Sequence, residues 1–191
     1  MMPGGLRTGS GSVRQMDADW PVAEAIEAGR LTLEPLRVDH APEMAVTLAD
    51  ARLHEFIGGD PATEAQLRQR YTVQVAGRSP DGTQGWLNWI ARDRATGQAV
   101  GTVQATIYLD GDRPVAEVAW VVGAGHQRQG YATEAATAMA AWLRGHGTEV
   151  LIAHVHPDHH ASARVCVRLG MAATDLLVDG ETRWTTPMPE G

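Results

Sequence analysis

Apolar and polar positions along this chain recur with two different periods, and each change of period marks an element. Ala132, Ala135, Ala136, Met139 and Leu143 fall at offsets 0, 3, 4, 7 and 11, a single apolar stripe that predicts a helix over 131–144. The small residues of that stripe would let the helix lie close on a sheet. A strand-like run over 115–122 precedes it and another over 150–156 follows; residues 157–171 then read as a second, short helix stopped by Gly170. Upstream, 86–92 and 100–108 read as a hairpin turning at Thr96-Gly97. Asp110-Gly111 turns the chain again, and Asp179-Gly180 joins a last pair of strands. Leu31 and Leu33 suggest a first strand and 42–50 a helix. Thr63 with Gln66 three residues on is a capping-box signature for another helix, to about Val75. Residues 19–29 suggest a short helix, with Asp19 near its cap, Pro21 in its first turn and Gly29 as its stop. Residues 1–12, rich in Gly and Ser, are expected to be disordered.

Length and composition narrow the class. With 191 residues, 43% hydrophobic and 20% charged, the chain suits one globular domain with a substantial core. The expected division is a flexible extension over 1–30 and one domain over 31–187. No apolar run approaches the roughly 18 residues of a membrane span, and residues 1–15 lack a signal-peptide pattern, so a cytoplasmic location is expected. A lone Cys166 allows neither an internal disulfide nor a cysteine-based zinc site. A net charge of -7 argues against nucleic acid as a partner and is compatible with amine-bearing ones.

The most telling segment is Q-R-Q-G-Y-A at 127–132, set between the 115–122 strand and the helix that follows. A helix start leaves its first N–H groups without intrahelical partners and carries partial positive charge, so it suits a diphosphate. Gly130 removes the side chain that would hold a ligand off the backbone. The same residues also suit an ordinary tight strand-to-helix turn. A dinucleotide fold is disfavoured, since no early G-x-G-x-x-G occurs and no Gly-Lys-Ser/Thr is present.

In its order of strand, glycine turn, helix, strand and helix, the chain resembles the GNAT superfamily of N-acetyltransferases, and within it the RimJ/RimL-like branch. LTLEPLRVDHAPEM at 31–44, FIGG at 56–59, WIARDRATGQAVG at 89–101 and EVAWVV at 117–122 carry the likeness. The resemblance implies an α/β (α+β) GNAT fold, a central mixed, mostly antiparallel sheet of six to seven strands flanked by about four helices. It implies transfer of acetyl from acetyl-CoA to a primary amine, on a protein N-terminus or a small molecule, with a homodimer left open. The branch's Asn-x-x-Ser becomes His159 and Ser162 here, and Cys166 stands where other members carry an acidic Tyr. A catalytically silent acyl-CoA sensor is therefore the competing reading.

Such a transfer needs a base, because an alkyl ammonium is neutral in only about one part in a few thousand at pH 7. Glu117 is the candidate base, the plain alternative being a solvent-facing or Arg113-paired carboxylate; His154 is a second base, with His54 and Glu55 held in reserve. Backbone N–H groups of Val121 and Val122 are the expected donors to the pantetheine and the thioester oxygen. Gln127, Arg128, Gln129, Gly130, Tyr131, Ala132 and Thr133 should surround the diphosphate, and His159 should contact the cofactor in place of Asn. Resemblance to the branch's Ser makes Ser162 the candidate acid toward the sulfur, the plain alternative being a first-turn helix residue satisfying a backbone N–H, while Cys166 reads as core. His154, His156, His159 and His160 admit a His-x-His pair, but no Cys or carboxylate set completes it and Asp158 alone adds little, so no metal is expected. Trp86, Trp89 and Trp184 suit either a cleft or the core.

Overall fold

A computed structural model describes residues 19–187; the expected disorder of 1–12 lies outside them. Eight strands form one sheet in the order β1-β2-β3-β4-β5-β6-β8-β7. They are β1 (Ile26–Ala28), β2 (Leu31–Pro35), β3 (Gly85–Asp93), β4 (Ala99–Asp110), β5 (Arg113–Val122), β6 (Val150–Val155), β7 (Ala172–Val178) and β8 (Glu181–Thr185). Only β5 and β6 run parallel. The helices are α1 (Ala41–Thr47), α2 (His54–Ile57), α3 (Glu64–Gln74), α4 (Tyr131–Gly145) and α5 (His160–Arg168).

The sheet thus has one strand and one helix more than expected. The added strand is β1, which replaces the helix expected over 19–29. Its residues favour a helix locally, yet Ile26 pairs with Leu33 across a hairpin whose turn uses Gly29 at φ 53°. The segment before it is an extended strap, fixed by Trp20 Nε1 donating to Gly82 O (2.9 Å) and the fully buried Trp89 donating to Glu24 O (2.7 Å). Pairing and burial outweigh a propensity difference of a few tenths of a kcal/mol per residue. The added helix, α2, is a single turn.

The remaining elements follow from their local signals. At the start of α3, Gln66 Oε1 accepts from Thr63 N (2.8 Å) and Thr63 Oγ1 accepts from Gln66 N (3.3 Å), a complete capping box. Along α4 the stripe Ala135, Ala136, Met139, Ala140 and Leu143 is fully buried, and Ala132 partly so. It packs with Ala116 and Val118 of β5 and with Leu151, Ala153 and Val155 of β6, and Val165 and Cys166 of α5 join the same core. On the opposite face α1 and α3 cover β3 and β4 through Met44, Leu67, Tyr71 and Ile90. Beyond them, Val115, Val150 and Ile152 form a small separate cluster with Tyr108 on that second face. The sheet is therefore covered by α4 and α5 on one face as far as β6 and by α1 and α3 on the other only over its first half, while β7 is exposed along nearly its whole length. No helix among the described residues is long and apolar enough to cross a membrane.

Candidate active site

Strand β5 stays paired with β4 as far as Val122 opposite Gly101, but its pairing with β6 ends at Glu117 opposite Ile152. From Val118 onward β5 therefore presents a free edge. Gly123 N donates to Val100 O (2.9 Å). Antiparallel ladders alternate the direction of their N–H groups, so Val121 N–H turns toward β4 while those of Trp120 and Val122 turn into the opening. Of the expected donors, Val122 thus points its N–H into the opening and Val121 does not, while the N–H of Trp120 shares the open edge. Trp120 supplies a second donor that the sequence did not suggest: its indole Nε1 is buried with no hydrogen-bond partner among the described residues. An orphaned buried donor costs about 1–3 kcal/mol unless a partner arrives, so this group fits a ligand with carbonyl oxygens lying along β5.

At the end of the same edge, α4 begins at Gly130 with φ 85° and no side-chain cap. Arg128 is also left-handed, at φ 61°, a conformation that costs a non-glycine residue about 1–2 kcal/mol. The first helical bond runs from Glu134 N to Gly130 O, and the N–H groups of Tyr131, Ala132 and Thr133 donate to no described residue. Their carbonyl neighbour is held away from them: Arg30 Nη2 donates to Gln129 O (2.9 Å), and the Arg30 guanidinium grips Glu134. Tyr131 turns its phenol inward to donate to Asp93 Oδ2 (2.5 Å), leaving only its N–H toward solvent. This donor, with the backbone N–H groups of Thr96 and Ala95, holds the Asp93 carboxyl below its ordinary value. The Gln127 and Gln129 amides reach the carbonyls of Val122 and Gly125 only at 3.4 and 3.5 Å. Gly123 is required by packing, since a Cβ there would sit 2.6 Å from Thr47 O at the end of α1.

On the half-open face, Glu117 and His154 meet. Glu117 pairs in register with Ile152 and His154 lies two residues on, on the same side of the sheet. His154 Nδ1 lies 3.2 Å from Glu117 Oε1; the carboxylate is half exposed and the imidazole largely enclosed. A neutral imidazole in that bond carries its proton on Nδ1 and leaves the Nε2 lone pair free. The α5 start lies at the end of β6. His159 caps it, its Nδ1 accepting from Ser162 N (3.1 Å), which is the cap an Asn at this position would make. The Phe56 ring of α2 lies 4.4 Å from that of His159 and 5.6 Å from that of His156, which places α2 beside the opening. His54 is spent on the Gly58 carbonyl (3.0 Å). Cys166 is buried, and desolvation pushes its thiol up to about 12, which removes it as a nucleophile. Among the described residues no three His, Cys, Asp or Glu side chains are grouped to hold a metal ion.

An unpaired strand edge thus leads to an uncapped helix start, with the orphaned Trp120 donor on the α4 face of β5 and the Glu117–His154 pair on its half-open face. Comparison with known proteins gives this arrangement a family. No curated protein matches the chain in sequence. Among solved structures, an acetyltransferase of the GNAT family from Bacillus anthracis superposes with a TM-score of 0.69 at 19% identity, covering 85% of this chain and 97% of that one. The ribosomal-protein-S5-alanine acetyltransferase from Vibrio fischeri gives 0.67 at 16% identity, over 85% and 96%. RimL, a ribosomal L7/L12 α-N-protein acetyltransferase solved with coenzyme A, gives 0.66 at 15% identity over the same shares. The acetyltransferase (GNAT) domain profile matches residues 30–172, most of the chain. The protein belongs to the GNAT acetyltransferase family.

Proposed function

We propose that the protein is an acetyl-CoA-dependent N-acetyltransferase of the RimJ/RimL-like type, in which a primary amine attacks the thioester directly. The observation that carries this reading is the parting of β5 from β6 beyond Glu117, beside the free N–H groups of Tyr131, Ala132 and Thr133. Those amides, with Gly130 and the exposed Arg128, would hold the diphosphate. The N–H groups of Trp120 and Val122, with the Trp120 indole, would hold the pantetheine arm. Bound there, acetyl-CoA supplies an acyl group activated as a thioester.

The chain's own part is to bind, orient and move protons. Glu117 fixes His154 in the tautomer whose Nε2 accepts the proton of the incoming ammonium, general acid–base help of about 10²–10⁴-fold. The carboxylate also stabilises the imidazolium that results. A backbone N–H on the open edge donates to the thioester oxygen as charge develops there. Ser162 Oγ, in the first turn of α5 and free of hydrogen bonds to described residues, would donate a hydrogen bond to the departing sulfur. The relatives named for ribosomal proteins support a protein N-terminus as acceptor, and the open face equally admits a small amine; the cytoplasm is the proposed location.

Turnover tests the reading. Mixing acetyl-CoA with a panel of amines should release free thiol, and His154→Ala should lower kcat by about 10²–10⁴-fold while coenzyme A still raises the melting temperature. Coenzyme A binding without thiol release from any amine would instead make the protein an acyl-CoA sensor.

A further inference from the structure

Below the Glu117–His154 pair, the open face of the sheet is hollowed into a cavity of about 780 Å³. Its floor is apolar, built from Val115, Val150 and Ile152, each nearly fully buried. Arg183 of β8 lines the same cavity and stands directly opposite His154 in the β6–β8 ladder. Cross-strand partners present their side chains to the same face, and neighbouring strands lie about 4.8 Å apart. The register thus sets Glu117, His154 and Arg183 on three successive strands of one surface.

Arg183 is half buried and forms no ion pair with any carboxylate of the described residues. A cation kept partly out of water without a partner is uncommon, because its desolvation is uncompensated. Tyr108 reports on the same space: burial raises its phenol chiefly, Glu117 and Asp110 add to the rise, and Arg183 opposes it. The phenol is therefore within electrostatic reach of all three. Asp110, Asp112 and Arg113 stand at the mouth of the cavity, on the exposed β4–β5 turn, where water and salt screen them. Arg183, half enclosed against the apolar floor, is screened less.

We propose that Arg183 is the anion-recognition residue of the acceptor site, and that the acceptor is an amine carrying its own carboxylate. This rests on the acetyltransferase reading of the cleft. The acceptor nitrogen sits at His154 Nε2, its carboxylate pairs with the guanidinium one strand away, and its carbon skeleton lies over Val115 and Ile152. A guanidinium fork matches a carboxylate with two parallel hydrogen bonds, which a carboxamide cannot reproduce. A free amino carboxylate and a protein N-terminus followed by Glu present the same chemistry.

The test is thiol release from acetyl-CoA with matched pairs of acceptors. The pairs are ω-amino carboxylates from glycine to 6-aminohexanoate against their carboxamides, and the peptide Ala-Glu-Ala-Ala against Ala-Gln-Ala-Ala. The wild-type protein is expected to favour the carboxylate member of at least one pair by about 10- to 100-fold in kcat/KM, the scale of a charge-assisted hydrogen bond. The free series and the peptide pair separate the two sources. Arg183→Gln should erase that preference by lowering only the carboxylate member, Arg183→Lys should keep part of it, and neither should alter coenzyme A affinity. Equal rates within every pair, or an equal loss on both members in Arg183→Gln, would overturn the proposal. Coenzyme A binding without turnover of any acceptor would also overturn it, while leaving the cofactor assignment intact; absence of coenzyme A binding would remove both.

Discussion

Helices α4 and α5 start beside the same cleft, and they treat their first N–H groups in opposite ways. At α5 the protein supplies its own acceptor, the His159 imidazole on Ser162 N. At α4 the cap is Gly130, which has no side chain to offer, and the preceding carbonyl is drawn off by Arg30. A cap is worth about 0.5–2 kcal/mol, so a fold selected for stability alone would have placed one at both. The difference teaches that an omitted local stabilisation can locate a binding site as clearly as an added group. The self-sufficient start offers a ligand side-chain atoms, the outer nitrogen of His159 and Ser162 Oγ; the bare one offers a row of amides.

The sharpest way to break this contrast is Gly130→Val. At φ 85° a β-branched residue is strained, while the nearest atom to its Cβ, Arg30 Nη2 at 3.6 Å, leaves room for it. The variant should fold, shift the turn and lose about two charge-assisted hydrogen bonds, roughly a 100-fold or greater loss of coenzyme A affinity by calorimetry. At the other helix, His159→Ala should cost about 0.5–2 kcal/mol in chemical denaturation, and His159→Asn should recover most of it. A smaller affinity loss for Gly130→Val than for His159→Ala would reverse the assignment of the two starts.

A finer effect concerns what holds the α4 start in place. The Asp93 carboxyl is held below its ordinary 3.8, first by Tyr131, so its stabilisation is complete above that value and vanishes as pH falls through the lower folded-state value. Tyr131→Phe should therefore melt earlier than wild type at pH 7, with the two melting curves converging in acid. Curves that stay parallel down to pH 2 would show that the phenol–carboxylate bond does not anchor the turn. Smallest of all, Trp120→Phe should leave the free protein as stable as before, or more stable by up to about 1 kcal/mol, because it removes an unpaired donor. The same variant should bind coenzyme A a few-fold less tightly.

Much of this arrangement was readable in the chain before folding was considered. The α4 stripe, the Thr63–Gln66 box, the hairpin turns and the glycine at 130 are local signals, each complete within about a dozen residues. Glycine 29 shows the limit of such signals: a left-handed residue ends a helix or turns a hairpin equally well, and only the partner strand decides between them. The chemistry needed more than local pattern. His154 is 37 residues from Glu117 in sequence, and Arg183 belongs to no motif; the ladder register alone brings them to one surface. Trp120 was hidden for a different reason, since its value lies in a bond it does not make.

The burial of Cys166 on the inner face of α5 has a practical side. With its sulfur buried and protonated at any working pH, the native enzyme contributes no reactive thiol of its own. A colorimetric sulfhydryl reagent added during turnover would thus count only the coenzyme set free. In the unfolded chain that lone thiol becomes available, so the same reagent without substrate would record denaturation as one equivalent per molecule.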